Sequence, residues 1–125
     1  MLKLDMILLY VADAQKSADF YQTLLDQAPI HTDPTFAMFM LADGLRLGLW
    51  KRDTVKPPVE AATAGTSEIA FAVADTSALN ALHAQWVAKG VTIIQPVVEL
   101  DFGPTFTAAD PDGHRIRASA MVTRD

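Results

Sequence analysis

The chain repeats its own design, and that repeat restricts the fold more than any other feature. Val11-Ala12-Asp13 returns as Val73-Ala74-Asp75, and Asp43-Gly44 returns as Asp112-Gly113. The offset is 62 residues at the first landmark and 69 at the second, so about seven residues were gained inside the second half. Half a fold repeated in this way cannot bury both sides of its own sheet, so the copies are expected to act as a pair.

Within the first half, residues 2–12 are apolar and rich in Leu, Ile and Val, which predicts a strand buried on both faces. Asp13 is placed to cap the helix that follows. Ala14, Ala18, Tyr21 and Leu25 recur at helical spacing, Phe20 and Leu24 widen the stripe, and Pro29 is expected to end it. Strands are predicted near 30–32, 36–41 and 45–51, with Asp43-Gly44 as a type I′ hairpin turn between the last two. Residues 52–66 hold Pro57, Pro58, Gly65 and several alanines and read as a linker.

The order then recurs. A strand is predicted over 68–74 and a helix capped by Asp75 or Thr76, with Leu79, Leu82, His83, Trp86 and Val87 on one face and Gly90 as its stop. Strands follow near 92–98, 105–109 and 115–121, and Asp112-Gly113 makes the second hairpin turn. The expected architecture is α+β: one domain over 1–125, with a βαβββ module at 1–51, the linker at 52–66 and a second βαβββ module at 67–125.

Composition excludes several classes of function. A net charge of -5 and ten scattered basic residues argue against nucleic acid, which needs a concentrated positive surface. The absence of cysteine removes disulfides and thiolate metal sites. The apolar stretch 7–12 is too short to span a bilayer and lacks the flanks of a signal peptide. A cytoplasmic protein without membrane contact is the expectation.

Paired βαβββ modules resemble the glyoxalase, bleomycin-resistance and dioxygenase superfamily, also called vicinal oxygen chelate. The motifs that carry the resemblance are Val11-Ala12-Asp13 with Ser17 to Tyr21, and Phe102-Gly103-Pro104-Thr105-Phe106 followed by Asp110-Pro111-Asp112-Gly113-His114. Within that superfamily the chain looks closest to phenazine-resistance-type binding proteins, because Trp50 ends the fourth strand and Phe102 to Phe106 precede Asp-Pro-Asp-Gly-His. The resemblance implies curved mixed sheets around a cavity and a homodimer.

It also implies where a metal would be held: one side chain from the first strand and one from the fourth strand of each half. Here those positions are Met6, Gly48, Glu68 and Arg117. A thioether, no side chain, one carboxylate and a permanent cation do not make a site for a borderline or hard divalent ion. The expectation is therefore a protein with no metal and no cofactor.

Strand alternation, taking those four positions as inward, adds Leu4, Leu8, Tyr10, Arg46, Trp50, Ala70, Ala72, Arg115 and Ser119 to one face. Trp50 is the residue expected to stack a flat ring, with a rim or interface role as its alternative. Phe36 and Met38 are candidates for lining the cavity, with core packing as the alternative, and Phe102 and Phe106 for closing its mouth, with core as the alternative for Phe106. Glu68 and Arg117 are expected to pair where the metal would sit, with ligand contact possible in addition. His83 reads as structural, His114 as exposed and His31 as without a visible partner.

The function this supports is a metal-free binding protein for a planar aromatic small molecule, plausibly sequestration of a phenazine-like antibiotic. The ligand-binding candidates are Trp50, Met6, Tyr10, Phe36, Met38, Gly48, Glu68, Phe102 and Arg117. The rivals are a metal-dependent glyoxalase- or dioxygenase-type enzyme, which would carry stoichiometric metal, and a domain whose cavity has collapsed.

Overall fold

The computed structural model describes residues 2–59 and 64–120. The chain divides into two compact units, Met1–Ala62 and Thr63–Asp125. In the first, β1 (Met6–Val11) leads through α1 (Ala14–Leu25) to β2 (His31–Asp33), β3 (Phe36–Met40) and β4 (Arg46–Lys51). In the second, β5 (Glu68–Ala72) leads through α2 (Thr76–Ala88) to β6 (Thr92–Leu100), β7 (Gly103–Ala109) and β8 (Arg115–Ser119). Each unit is thus a βαβββ module with one four-stranded mixed sheet. The strand orders are β1-β4-β3-β2 and β5-β8-β7-β6, the same order in both. The first and last strands of each unit run parallel and the other neighbours antiparallel.

Register is fixed by the face that each helix covers. Ala37, Phe39, Leu47, Leu49 and Val11 are almost fully buried, as are Ala14, Ala18, Tyr21 and Leu24 of α1, which packs on β3 and β4. Each large side chain buried in this way contributes about 1.5–3 kcal/mol. In the second unit Phe106, Ala108, Ile116 and Ala118 are buried on the sheet and Leu79 and Trp86 on α2. Phe106 meets Trp86 and His83 edge-on, with ring centroids 5.3 and 5.1 Å apart. Phe106 is therefore core rather than a cavity mouth, and His83 is structural.

Caps and turns follow side-chain chemistry. Asp13 accepts from the amides of Gln15 and Lys16, and Asp75 from Ala78. Gly90, with φ 81°, ends α2: its amide bonds Val87 and that of Val91 bonds Trp86, the two bonds of a Schellman cap. Asp43 and Gly44 have φ of 60° and 79°, and the Leu45 amide bonds the Ala42 carbonyl, as a primed two-residue turn requires.

Several expectations are corrected. The first strand starts at Met6, with Leu2 and Leu4 exposed outside it, and only one of its faces is covered: Leu8 and Tyr10 are exposed. A strand at the edge of a sheet with one helix above it has nothing else in its unit to cover the second face. Asp26, in the left-handed conformation, ends α1 three residues before Pro29. Val87 is exposed, off the packed face of α2. The second hairpin turn centres on Pro111-Asp112, with Gly113 following at φ 91°. The Asp110 carboxylate accepts from the amides of Asp112 and His114. Both loops lie between equivalent strand pairs, Met40 with Arg46 and Ala109 with Arg115, and have the same length; they differ in where the turn sits within the loop. His114 is half-buried rather than exposed. Residues 60–63 of the expected linker and Met121 of the expected last strand lie outside the described residues. No helix among the described residues is long and apolar enough to cross a membrane.

The turn joining β2 to β3 is built on Asp33. One carboxylate oxygen accepts from the amides of Thr35 and Phe36 at 2.9 Å and from the Thr35 hydroxyl at 3.1 Å. The other lies 2.8 Å from His31 Nε2, so His31 does have a partner. The bond to His31, then that from the Thr35 amide, hold the Asp33 carboxyl at about 2 against an ordinary 3.8. A carboxyl whose pKa falls on folding stabilises the fold above its unfolded value, and that contribution fades as pH drops toward the folded one. A carbon-13 titration should therefore place the Asp33 midpoint near 2. The Thr35 and Phe36 amide resonances should move with it, and an unshifted midpoint would refute this account of the turn.

Candidate functional site

Alternation gives each sheet a second face, opposite its helix, and the register lays it out as rows. In the first unit the row at the end of β1 runs Phe36, Trp50, Tyr10 across β3, β4 and β1. The next row runs His31, Met38, Gly48, Leu8, and the third Met40, Arg46, Met6. Trp50 stands half-exposed between two rings nearly perpendicular to it, Tyr10 at 6.4 Å and 79° and Phe36 at 6.5 Å and 89°. Such edge-to-face packing is favourable for aromatic quadrupoles.

Gly48 sits at the middle of this face. A Cβ there would meet Leu8 Cδ2 at 2.6 Å, Met6 Sδ at 3.0 Å and Phe36 Cζ at 3.1 Å. Those three side chains lean over the glycine, so Met6, Gly48, Phe36 and Leu8 form one contiguous patch. Met6, Met38 and Met40 give it deformable edges, since a thioether side chain repacks at little cost. Arg46 at the far end is tied to Asp5.

The second unit has the same lattice with different chemistry. Its rows across β6, β7, β8 and β5 are Thr92, Ala109, Arg115, Glu68; then Gln95, Thr107, Arg117, Ala70; then Val98, Thr105, Ser119, Ala72. Arg117 is in the place that Gly48 holds in the first unit, and Glu68 in the place of Met6. Arg117 Nε donates to Glu68 Oε1 at 2.6 Å and Nη2 to Oε2 at 3.3 Å, a fork-to-fork pair. Its Nη1 donates to Thr105 Oγ1 at 3.2 Å, and that hydroxyl is shared with Ser119 and the Ala118 carbonyl. Phe102, partly exposed, has its ring centroid 6.0 Å from the guanidinium carbon, so the cation is flanked by an aromatic face.

A cavity of about 270 Å³ opens on this second face, lined by Ile94, Gln95, Leu100, Thr107, Arg115 and Arg117. Arg115 and Arg117 were legible as inward by alternation. Gln95 and Thr107 were missed. Thr107 has the same alternation signal two residues after Thr105, but β6 shifts register twice, between Ile93 and Gln95 and between Gln95 and Val98. Alternation cannot place a residue between two such shifts.

The divalent ion that the family plan implies does not fit these residues. Met6 and Gly48 offer a thioether and nothing, and both oxygens of Glu68 are already held by Arg117. Among the described residues no group of three or more His, Asp or Glu could hold an ion.

Comparison with known proteins gives a consistent result. The family model described as "Glyoxalase/Bleomycin resistance protein/Dioxygenase superfamily" matches residues 3–118. The chain is 28% identical over 118 residues to the phenazine antibiotic resistance protein EhpR of Enterobacter agglomerans, covering 91% of this chain and 88% of that one. Among solved structures it is similar to protein ATC0852 of Agrobacterium tumefaciens, with TM-score 0.87, 42% identity, and 98% and 100% of the two chains covered. A glyoxalase-related enzyme from Fulvimarina pelagi shares the fold at TM-score 0.82 and 23% identity, over 96% and 88% of the two chains.

The ion pair gives a direct test of how the second face is held. The Arg117 side chain is 16% exposed and that of Glu68 33%. Truncating one partner of such a half-shielded pair should cost about 1–3 kcal/mol, less than for a fully buried pair because water screens part of it. Arg117→Met alone should lower stability by that amount, and Glu68→Gln added to it should restore part of the loss. Strictly additive effects in chemical denaturation would show that the pair is not coupled.

Proposed function

This chain belongs to the glyoxalase/bleomycin resistance protein/dioxygenase superfamily, and from that premise we propose that it binds a planar aromatic small molecule without a metal ion. The observation that carries the reading is the open face of the first sheet. Soluble proteins seldom leave a contiguous apolar and aromatic patch uncovered unless something docks there. Here Phe36, Trp50 and Tyr10 form a continuous row, backed by Met6, Met38, Gly48 and Leu8. A flat heteroaromatic ring gains both apolar burial and a directional ring contact on such a row. We assign Trp50, Phe36 and Tyr10 as the ring contacts, and Met6, Met38 and Gly48 as the surrounding surface. Glu68, Phe102 and Arg117, on the open face of the second unit, are the remaining residues that we propose for ligand binding.

The relationship to a phenazine antibiotic resistance protein supports a phenazine-like ligand, and we propose sequestration rather than chemical conversion as the mode of action. Binding by sequestration needs no reacting group. It needs only that the protein hold the compound more tightly than its target does. The pairing of Arg117 with Glu68 argues against the rival reading, a metal-dependent enzyme, because the one carboxylate on the four expected ligand positions is already engaged. We further propose that two copies of the chain associate, as the family plan implies, and light scattering of the purified protein tests this.

Trp86 is buried in the core, so Trp86→Phe leaves Trp50 as the sole indole reporter. Titrating that variant with phenazine should quench its fluorescence saturably, and a chelator should change neither the midpoint nor the amplitude. Trp50→Ala, followed by calorimetry, should weaken binding at least about tenfold, the loss of roughly 1.4 kcal/mol or more expected of a ring contact with its apolar burial. Chromatography should return the compound unaltered. Absence of saturable quenching by phenazine and by other planar heteroaromatics would overturn the proposal.

A further inference from the structure

We propose that the cavity over β6, β7 and β8 is a binding site for an organic carboxylate, recognised by Arg115, Gln95 and Thr107. The cavity holds about 270 Å³, near the lower end of small-ligand sites, which run to roughly 300–1,000 Å³. Its walls divide in character: Ile94 and Leu100 are apolar, and Gln95, Thr107, Arg115 and Arg117 are polar. That is the make-up expected for an organic body with one acidic end.

The charge in the cavity is not balanced by the described residues. Arg117 is neutralised by Glu68, which takes two of its N–H groups. Arg115 stands directly opposite Glu68 in the strand register, yet Glu68 turns to Arg117 instead. Among the described residues the Arg115 guanidinium has no ion pair. One uncompensated positive charge therefore faces the cavity. Glu99, the nearest acidic neighbour of Leu100 on the same strand, pairs with Pro104 and so belongs to the opposite phase of the sheet.

A second and independent observation is Thr107. It is 1% exposed, it lines the cavity, and its hydroxyl has no hydrogen-bond partner among the described residues. An orphaned buried hydroxyl is rare and calls for a partner that the described residues do not supply. Thr107 is the cross-strand neighbour of both Gln95 and Arg117. A hydroxyl with a guanidinium beside it is best satisfied by donating to an anionic oxygen. A carboxylate supplies two acceptor oxygens and one negative charge, matching the donors and the one cation left unpaired among the described residues that line the cavity. A phosphate would bring more charge than one free guanidinium compensates.

This site lies wholly within the second unit and does not depend on the aromatic row. Its readout is also separate: amide and side-chain NMR resonances of Gln95, Thr107 and Arg115, not Trp50 fluorescence. Benzoate should shift those resonances saturably. Benzamide, the same ring without the charge, and inorganic phosphate should bind at least tenfold more weakly. Arg115→Gln, at an exposed position, should lose benzoate binding tenfold or more with the spectrum otherwise intact. Thr107→Val should weaken benzoate binding about threefold and raise the melting temperature, since it removes the orphaned hydroxyl. A loss of binding there is then not a loss of fold.

The phenazine quenching of Trp50 should be the same in Arg115→Gln as in the parent chain, so that failure of the carboxylate site and failure of the aromatic reading are told apart. The carboxylate site is overturned if benzoate shifts none of the three residues, or if benzamide or phosphate binds as well as benzoate.

Discussion

The packing of one helix on one face of each sheet governs everything else in this chain. Leu47, Leu49 and Phe39 are fully buried in the first unit, and Phe106, Ile116 and Ala118 in the second. A slip of one residue in β4 or β8 would send Leu47 and Leu49, or Ile116 and Ala118, to the open face and bring Gly48 and Trp50, or Arg115 and Arg117, inward under the helix. Burying a guanidinium against Trp86 and Leu79 is costly enough to forbid the slip in the second unit. In the first, exchanging two leucines for a glycine would empty the core beneath α1. The chemistry of the open faces thus needs no separate device to orient it, because it is the opposite phase of a core that cannot move.

The two open faces share a lattice and differ in what stands at equivalent points. Gly48 in one corresponds to Arg117 in the other, Met6 to Glu68, and Arg46 to Arg115. Each difference has a local consequence. Gly48 lets three apolar side chains converge over the sheet, whereas Arg117 draws in Glu68, Thr105 and Ser119 as a polar network. Arg46 finds Asp5 in the segment before β1, whereas Arg115 has no comparable partner among the described residues. A repeat built for symmetry has become one apolar surface and one charged surface on the same scaffold.

Much of this was legible in the sequence. The repeat landmarks, the caps at Asp13 and Asp75, the stop at Gly90 and the phase of β1, β4, β5 and β8 all follow from local rules, since caps and alternation act over a few residues. What escaped was set by contacts at longer range or by backbone irregularity. The end of α1 at Asp26 depends on a left-handed residue that asparagine or glycine more often supplies, so the proline three positions later drew the boundary outward. The second hairpin turn misled because, in loops of equal length, the same Asp-Gly pair can occupy both central positions of the turn or only its last two. There the Asp110 carboxylate selects the second placement by holding two amides. Gln95 was hidden by the irregular pairing of β6, and Thr107 by the fact that an orphaned hydroxyl has no sequence signature.

The ion pair explains why the charged face takes the form it does. Three groups compete on β5 and β8: one carboxylate, Glu68, and two guanidinium groups, Arg115 and Arg117. Register favours Arg115, which is directly opposite Glu68, yet Arg117 wins. The more enclosed cation has more to gain, because a charge withdrawn from water needs a partner more than one that stays wet. Arg117 also has Thr105 and the Phe102 ring to complete its surroundings, so pairing there satisfies the whole group at once. Arg115 is left with its charge toward the cavity as the remainder of that competition. A single carboxylate cannot serve two guanidinium groups in one place. The structure satisfies the deeper one and leaves the outer one as the chain's contribution to whatever anion enters.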